Sequence, residues 1–366
     1  MSTHNTLLSY VTRATLLLAL FFTLSCSKSD DAEDVPGIDG GVPGVGVGAP
    51  ATDLSLLTED YTAHDGEVLT GTLSNNIKIM IDSSATVTLA GVIINGAPNQ
   101  IYKWAGITCL GDATLILADS TVNIVKGFHG FYPGIQPGPK GTTLTICGTG
   151  ALSASSNGRA PGIGSCSIDD GEFICGNICI EGGTITAEGG NGAAGIGSAR
   201  VMDGISQCGD ITITGGTVTA IGGGNGAGIG SGYVMNGVSQ CGDITIMGGT
   251  VMAKGGEKGA GIGCGFGYGG TTQCGNITIN GGNDFVSVTA IKGGSGVNKP
   301  IGLSSTNLRN NTCGIITFNN TKVFDGNDVT YSYTSNGMKF GGLTLTISSS
   351  DPEDNKKKDD TWTLKP

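Results

Sequence analysis

The phrase GGTVTAIGGGNGAGIGSG, residues 215–232, recurs with small changes as GGTITAEGGNGAAGIGSA from Gly182 and as GGTVMAKGGEKGAGIGCG from Gly248. Cys175, Cys208, Cys241 and Cys274 keep the same interval of 33 residues, and so do Ile163, Ile196, Ile229 and Ile262 of the GIG phrase. A fixed period in this range marks a stacked array in which no single copy can bury its own apolar face. Within a copy, DITITGG alternates, placing Ile211 and Ile213 on one face of a strand and Thr212 and Thr214 on the other. TVTA and GAGIG behave alike. Three short strands per copy, separated by glycine corners, predict one turn of a parallel β-helix. The corners need glycine for positive φ or for lack of space between rungs.

Upstream the same pattern continues with less glycine, since Ile107, Ile135 and Ile163 lie 28 residues apart. Downstream, Ile301 follows Ile262 by 39. The reading is an all-β, right-handed parallel β-helix. It has about eight turns between Ile77 and Phe318, roughly 35–40 Å at the strand spacing of about 4.8 Å. From each GIG isoleucine to the next strand the gap is 8 residues after Ile107 and 9 after Ile135, then 15 after Ile163, Ile196, Ile229 and Ile262. The added length therefore leaves at one corner and predicts a ridge of four longer loops. The β-helix is expected over 55–366, with about 320–366 as a carboxy-terminal cap in which Tyr331 and Tyr333 plug the last rung.

The first 54 residues read differently. An apolar run from Leu16 to Leu24 ends at Ser25-Cys26, which fits a signal peptide. TLSC resembles a bacterial lipobox, although the usual leucine at its first position is absent. Cys26 would be the lipidated first residue, and SKSDD resembles an acidic export tag for surface lipoproteins. The implied location is the outer membrane, lipid-anchored and facing the exterior. Residues 27–54, rich in glycine and proline, are read as a flexible tether.

Composition excludes some functions. The formal charge is −11, but 15 of the 30 acidic residues lie in 1–67 or 351–366, leaving a nearly neutral body with no basic footprint for nucleic acid. With 67 glycines and 5% aromatic residues, the core must be aliphatic. Three histidines, His4, His64 and His129, leave little for a His-dependent active site.

Candidate sites follow from the register. Aligning turns on Ile107, Ile135 and Ile163 puts Trp104 and Tyr132 at one position, with Lys103, Phe131 and Arg159 beside them. Two outward rings on adjacent rungs with cations at the margin would form a sugar-stacking platform; alternatively the same residues fill a corner. The ridge offers Phe173, Tyr233, Phe266 and Tyr268, with Asp169, Asp170 and Arg200. Against a recognition role there, VMDGISQC and VMNGVSQC nearly duplicate one another. The row Asn177, Asp210, Asp243, Asn276 could hold Ca²⁺ or mimic a glycosidase carboxylate pair, but asparagine at both ends suits turn capping better. No cofactor is expected, Ca²⁺ being the alternative. The repeat-position cysteines, Cys313 included, are read as a stack of reduced, buried thiols, because zinc would need converging ligands. Threonine rows Thr184/Thr217/Thr250 and Thr186/Thr219 resemble those of ice-binding faces, but Met252 interrupts one of them.

The stretches YTAHDGEVLTGTLSNNIKIMIDSSATVTLAGVIIN and YKWAGITCLGDATLIL, followed by the GGTVTA…GAGIG turns, resemble a family of secreted β-helix proteins labelled carbohydrate-binding-domain proteins, over about residues 58–320. Some related β-helix families bind acidic polysaccharides with Ca²⁺ and share the pectate lyase fold. No binding residue carries over by motif. The resemblance implies a non-catalytic, surface-anchored solenoid that binds polysaccharide or mediates adhesion. A polysaccharide lyase or glycoside hydrolase is the rival, and a purely structural surface rod the third option. For a lyase, Lys254, Lys258, Arg159 and Arg200 are scattered over different corners.

Overall fold

The computed structural model describes residues 51–98, 101–281, 286–294, 300–304 and 311–318, and the backbone of four further strands between 321 and 365. The signal segment, Cys26, most of the tether, Tyr331 and Tyr333 lie outside the described residues. The protein is a parallel β-helix. Its most regular face is a nine-stranded sheet of the GIG strands, running from Tyr61–Ala63 through Ile107–Cys109, Ile163–Gly164 and Ile229–Gly230 to Ile301–Gly302. Eight of these rungs begin at Ile79, and Tyr61–Ala63 adds one before them.

Two further faces complete each turn. One stacks Ala113–Leu117, Thr143–Gly148, Asn177–Ile180, Ile211–Ile213, Ile244–Ile246 and Ile277–Ile279; the other stacks Val122–Lys126, Ala151–Ser155, Thr184–Glu188, Thr217–Ile221 and Gly249–Lys254. Ala85–Asn95 bends around the corner between them, pairing with Ala113–Leu117 by its first half and with Ile124–Lys126 by its last residues. Register keeps identical side chains in columns. Ile163, Ile196, Ile229, Ile262 and Ile301 pair in succession, and each is fully buried. Each such isoleucine contributes about 1.5–3 kcal/mol of apolar burial, but only when a neighbouring rung covers it.

The glycine after each isoleucine has a backbone reason. Gly164, Gly197, Gly230, Gly263 and Gly302 have φ between 107° and 144°, and a Cβ on any of the first four would strike the carbonyl oxygen of the corresponding glycine one rung on. No side chain other than hydrogen fits there.

The ridge expectation needs correction. The added residues do not form open loops: Glu172–Ile174, Ile205–Cys208, Val238–Cys241, Thr271–Cys274 and Thr312–Cys313 make a fourth, five-stranded parallel face. Long turns thus have four strands where the repeat pattern predicted three. Ser206, Ser239 and Thr272, with Cys208, Cys241 and Cys274, point inward and are buried. Ser165 Oγ lies 2.7 Å from Ser206 Oγ, and Ser198 Oγ 2.9 Å from Ser239 Oγ, so the inner hydroxyls satisfy one another across the turn. Small inward residues let this strand close against the GIG face.

The solenoid starts earlier than the sequence boundary. Ala51–Asp53 already pairs with Val68–Thr70, and Leu54 is fully buried, so the solenoid begins four residues before position 55. Asp53 fixes this entry by accepting the Ser55 amide at 2.9 Å, starting the 3-10 turn Leu54–Leu56. At the other end pairing turns antiparallel: Thr321–Asp325 lies against Ile315–Phe318, and Thr361–Lys365 against Val286–Ile291. These antiparallel strands cover edges that a further rung would otherwise need.

Candidate functional site

The change from three-sided to four-sided turns makes a step on the surface. The rung of Ile135 runs from Gln136 to Thr143 with no fourth strand, whereas the rung of Ile163 adds Ile168–Ile174. A cleft of about 870 Å³ opens at this step, lined by Lys103, His129, Phe131, Tyr132, Arg159, Asp169, Asp170 and Phe173 among others. It unites most of the first candidate group with one end of the ridge group, which register alone did not bring together.

Arg159 is held on both sides. Its Nη1 donates to Asp169 Oδ1 at 2.8 Å, and its guanidinium carbon lies 5.2 Å from the Phe131 ring centroid. The pair is on the surface and stabilises little, about 0–1 kcal/mol; its effect is to fix the wall. Asp170 Oδ1 accepts the amide of Gly171 at 2.8 Å, so both neighbouring carboxylates are committed to holding the chain. Lys103 is exposed and makes no ion pair among the described residues.

His129 is the residue the sequence reading left unassigned. It is 7% exposed, and its Nδ1 accepts the Phe131 amide at 3.1 Å, so the neutral ring carries its proton on Nε2. Burial, and after it the Lys103 ammonium, hold its pKa below the ordinary 6.5. A neutral imidazole so arranged is a hydrogen-bond donor and has no free lone pair to act as a base. The Tyr132 phenol is raised by burial and by Cys166 beside it, so it also remains a neutral donor and acceptor. The His129 ring meets Phe131 edge-on at 4.9 Å and Tyr132 at 6.0 Å. A signal for His129 was present in the sequence, since it stands in the same corner as Phe131 and Tyr132, but a lone histidine gave no chemistry by itself.

Trp104 is a correction. It does not share a platform with Tyr132: it packs against the apolar core and against Tyr102 at 5.3 Å and Phe128 at 5.7 Å. Its Nε1 is buried without a hydrogen-bond partner, and the Lys78 ammonium covers its ring at 5.6 Å. Ala105 is buried as alternation back from Ile107 predicts, but the Trp104 amide turns back onto the Tyr102 carbonyl at 3.1 Å and the Trp104 carbonyl accepts the Phe128 amide at 3.2 Å, so the indole is only half-buried and covers the corner instead of standing out from it. Tyr132 and Lys103 stay at the cleft.

The ridge aromatics divide as well. Tyr233 and Phe266 stack at 6.2 Å with planes 9° apart, Arg200 lies over Tyr233 at 5.3 Å, and Lys258 lies over Phe266 at 4.8 Å. Their faces are thus occupied by each other and by cations, and they are not open to a sugar ring. Phe173 packs inward against the core at the cleft floor, and Tyr268 alone of the four is 69% exposed.

The Asn/Asp row caps across rungs. Asn177 Oδ1 accepts the amide of Asp210 at 2.9 Å, Asp210 that of Asp243 at 2.8 Å, Asp243 that of Asn276 at 2.7 Å, and Asn276 that of Ile315 at 3.0 Å. Each side chain serves the next turn where its own was expected. This use occupies one oxygen of both Asp210 and Asp243, the capping role that the asparagines at either end of the row share. Among the described residues, no group of three or more His, Cys, Asp or Glu side chains is arranged to hold a metal ion.

Comparison with known families finds a beta helix repeat model matching residues 178–200, 211–233 and 244–266. These segments run from the first inward isoleucine of a turn to just beyond its GIG phrase, the stretch whose columns are described above. No curated protein and no solved structure matches the chain significantly.

Proposed function

We propose that the protein is a non-catalytic solenoid that binds a polysaccharide or other glycan in the cleft at the step, and that it is displayed on the outer face of the outer membrane through a lipid on Cys26. The observation that carries this reading is the grouping of Tyr132, the Nε2 donor of His129 and the uncommitted Lys103 ammonium around one open concavity. Aromatic surface with a few convergent polar groups is the usual composition of a saccharide or small-ligand site. Lys103 to Arg159 spans two rung spacings, roughly 10 Å, which suits a short run of sugars lying along the stack. The non-catalytic reading is supported by the His129 lone pair, which the Phe131 amide takes up, and by the ion pair that holds Asp169 on Arg159.

The test is retention of the full chain, held in detergent, on an array of plant, microbial and host glycans. Tyr132→Ala with Lys103→Ala should abolish retention and leave the melting curve nearly unchanged. Trp104→Ala should lower the melting temperature, and any folded fraction should still be retained. Retention unaffected by the double substitution would overturn the assignment to this cleft, and release of reducing or unsaturated ends would overturn the non-catalytic reading.

A further inference from the structure

The cleft makes no use of the column of sulfur inside the fourth face. Cys208, Cys241 and Cys274 pair in register on consecutive rungs, Cys313 extends the column beyond them, and Cys175 precedes it. Cys175, Cys208, Cys241 and Cys274 are free thiols and at most 5% exposed. In-register Cβ atoms follow the strand spacing of about 4.8 Å, longer than the roughly 3.5–4.5 Å a disulfide prefers. Adjacent rungs therefore present thiols that cannot oxidise to a bond without moving the backbone. Two metal–thiolate bonds of about 2.3 Å each, laid end to end, span about 4.6 Å. That is the rung spacing.

We infer that neighbouring thiols of this column form linear two-sulfur sites for a thiophilic closed-shell cation, the class that includes Hg(II), Ag(I) and Cu(I). Soft thiolates select such ions over hard ones. Within the column the two neighbours of an inner thiol lie on opposite sides along the stack, and among the described residues no three His, Cys, Asp or Glu side chains are grouped so as to hold a metal ion, which disfavours a tetrahedral zinc site. The reaction is a proton exchange without redox chemistry. Two thiols give up two protons, two sulfur–metal bonds form, and with a divalent cation the product is neutral. Neutrality matters because the column lies among buried isoleucines, where net charge is costly.

Adjacency, as distinct from the number of thiols, is what the experiment tests. The full chain, reduced and carrying Cys166→Ser, Cys179→Ser and Cys264→Ser to remove the thiols beside and outside the column, is loaded with Hg(II) and challenged with excess 2-mercaptoethanol. Cys175→Ser with Cys313→Ser removes two thiols but leaves three contiguous, and mercury should be retained. Cys208→Ser with Cys274→Ser also removes two but leaves no neighbouring pair, and retention should fall by about 100-fold, the usual scale of losing a second linked attachment. Equal retention by the two double variants would overturn the inference. Should the second variant not fold, X-ray absorption on the loaded parent decides: two sulfurs at about 2.3 Å support the site, and one sulfur refutes it.

Discussion

Gly230→Ala and Gly66→Ala place the same methyl group on two glycines of positive φ, and the difference between them measures the contact between rungs. Gly66 has φ 80° and nothing within 4 Å of an added Cβ, so its cost is backbone strain alone, about 1–2 kcal/mol. Gly230 has φ 134°, a conformation that costs other residues about 1–3 kcal/mol. In addition its Cβ would strike the carbonyl oxygen of Gly263, the acceptor for the Ser231 amide at 2.9 Å. Displacing that carbonyl leaves a buried donor unsatisfied, a further loss of about 1–3 kcal/mol. Gly230→Ala should therefore lose about 2–6 kcal/mol and exceed Gly66→Ala clearly. Urea unfolding followed by far-ultraviolet circular dichroism reads both, provided the slope m is unchanged between variants. Equal losses at the two positions would refute the claim that close stacking of turns, and not φ alone, demands glycine after each GIG isoleucine.

Asp210→Ala should lose about 0.5–2 kcal/mol by removing the acceptor of the Asp243 amide, whereas Asp210→Asn should be nearly neutral because it keeps Oδ1. A melt showing equal losses for both would mean that charge, and not capping, is what the position supplies. For His129 the folded pKa lies below the unfolded 6.5, so the unfolded chain binds the proton more readily. Its contribution to stability is complete above 6.5 and is lost as pH falls through the folded value, where a proton on Nδ1 would oppose the Phe131 amide. Wild-type protein should thus lose more stability than His129→Phe between about pH 7.5 and pH 5, and parallel pH profiles would contradict the buried-acceptor geometry.

What the sequence revealed was whatever repeats. Ile163 and its successors, the glycines after them and the Asn177–Asn276 row all occupy positions whose spacing is their structure, because a solenoid converts sequence period directly into spatial neighbours. Two kinds of position were not legible. The segments 205–208 and 238–241 alternate as strands do, but their inward residues are serine and cysteine, so a search for aliphatic alternation reads them as loop. Phe173 belongs with these, since it takes the inward position of Ser206 one rung earlier. Trp104 fails for another reason: it sits where the chain turns back on itself at Tyr102, and that local turn decides which way the ring faces.

That second failure bears on function. A uniform column offers every ligand the same surface at each rung, and its stacked rings, such as Tyr233 on Phe266, spend their faces on one another. The cleft opens where the period breaks. Here the break falls between Ile135 and Ile163, where a fourth strand begins and the shorter turn before it leaves Tyr132, His129 and Lys103 beside the new wall. Shortening the Ile168–Ile174 segment to match the preceding turn would remove that wall and leave the columns of Ile163 and Ile196 intact. Loss of ligand retention in a chain so altered, with its cooperative unfolding preserved, is the outcome expected if irregularity, and not the repeat, is where recognition resides.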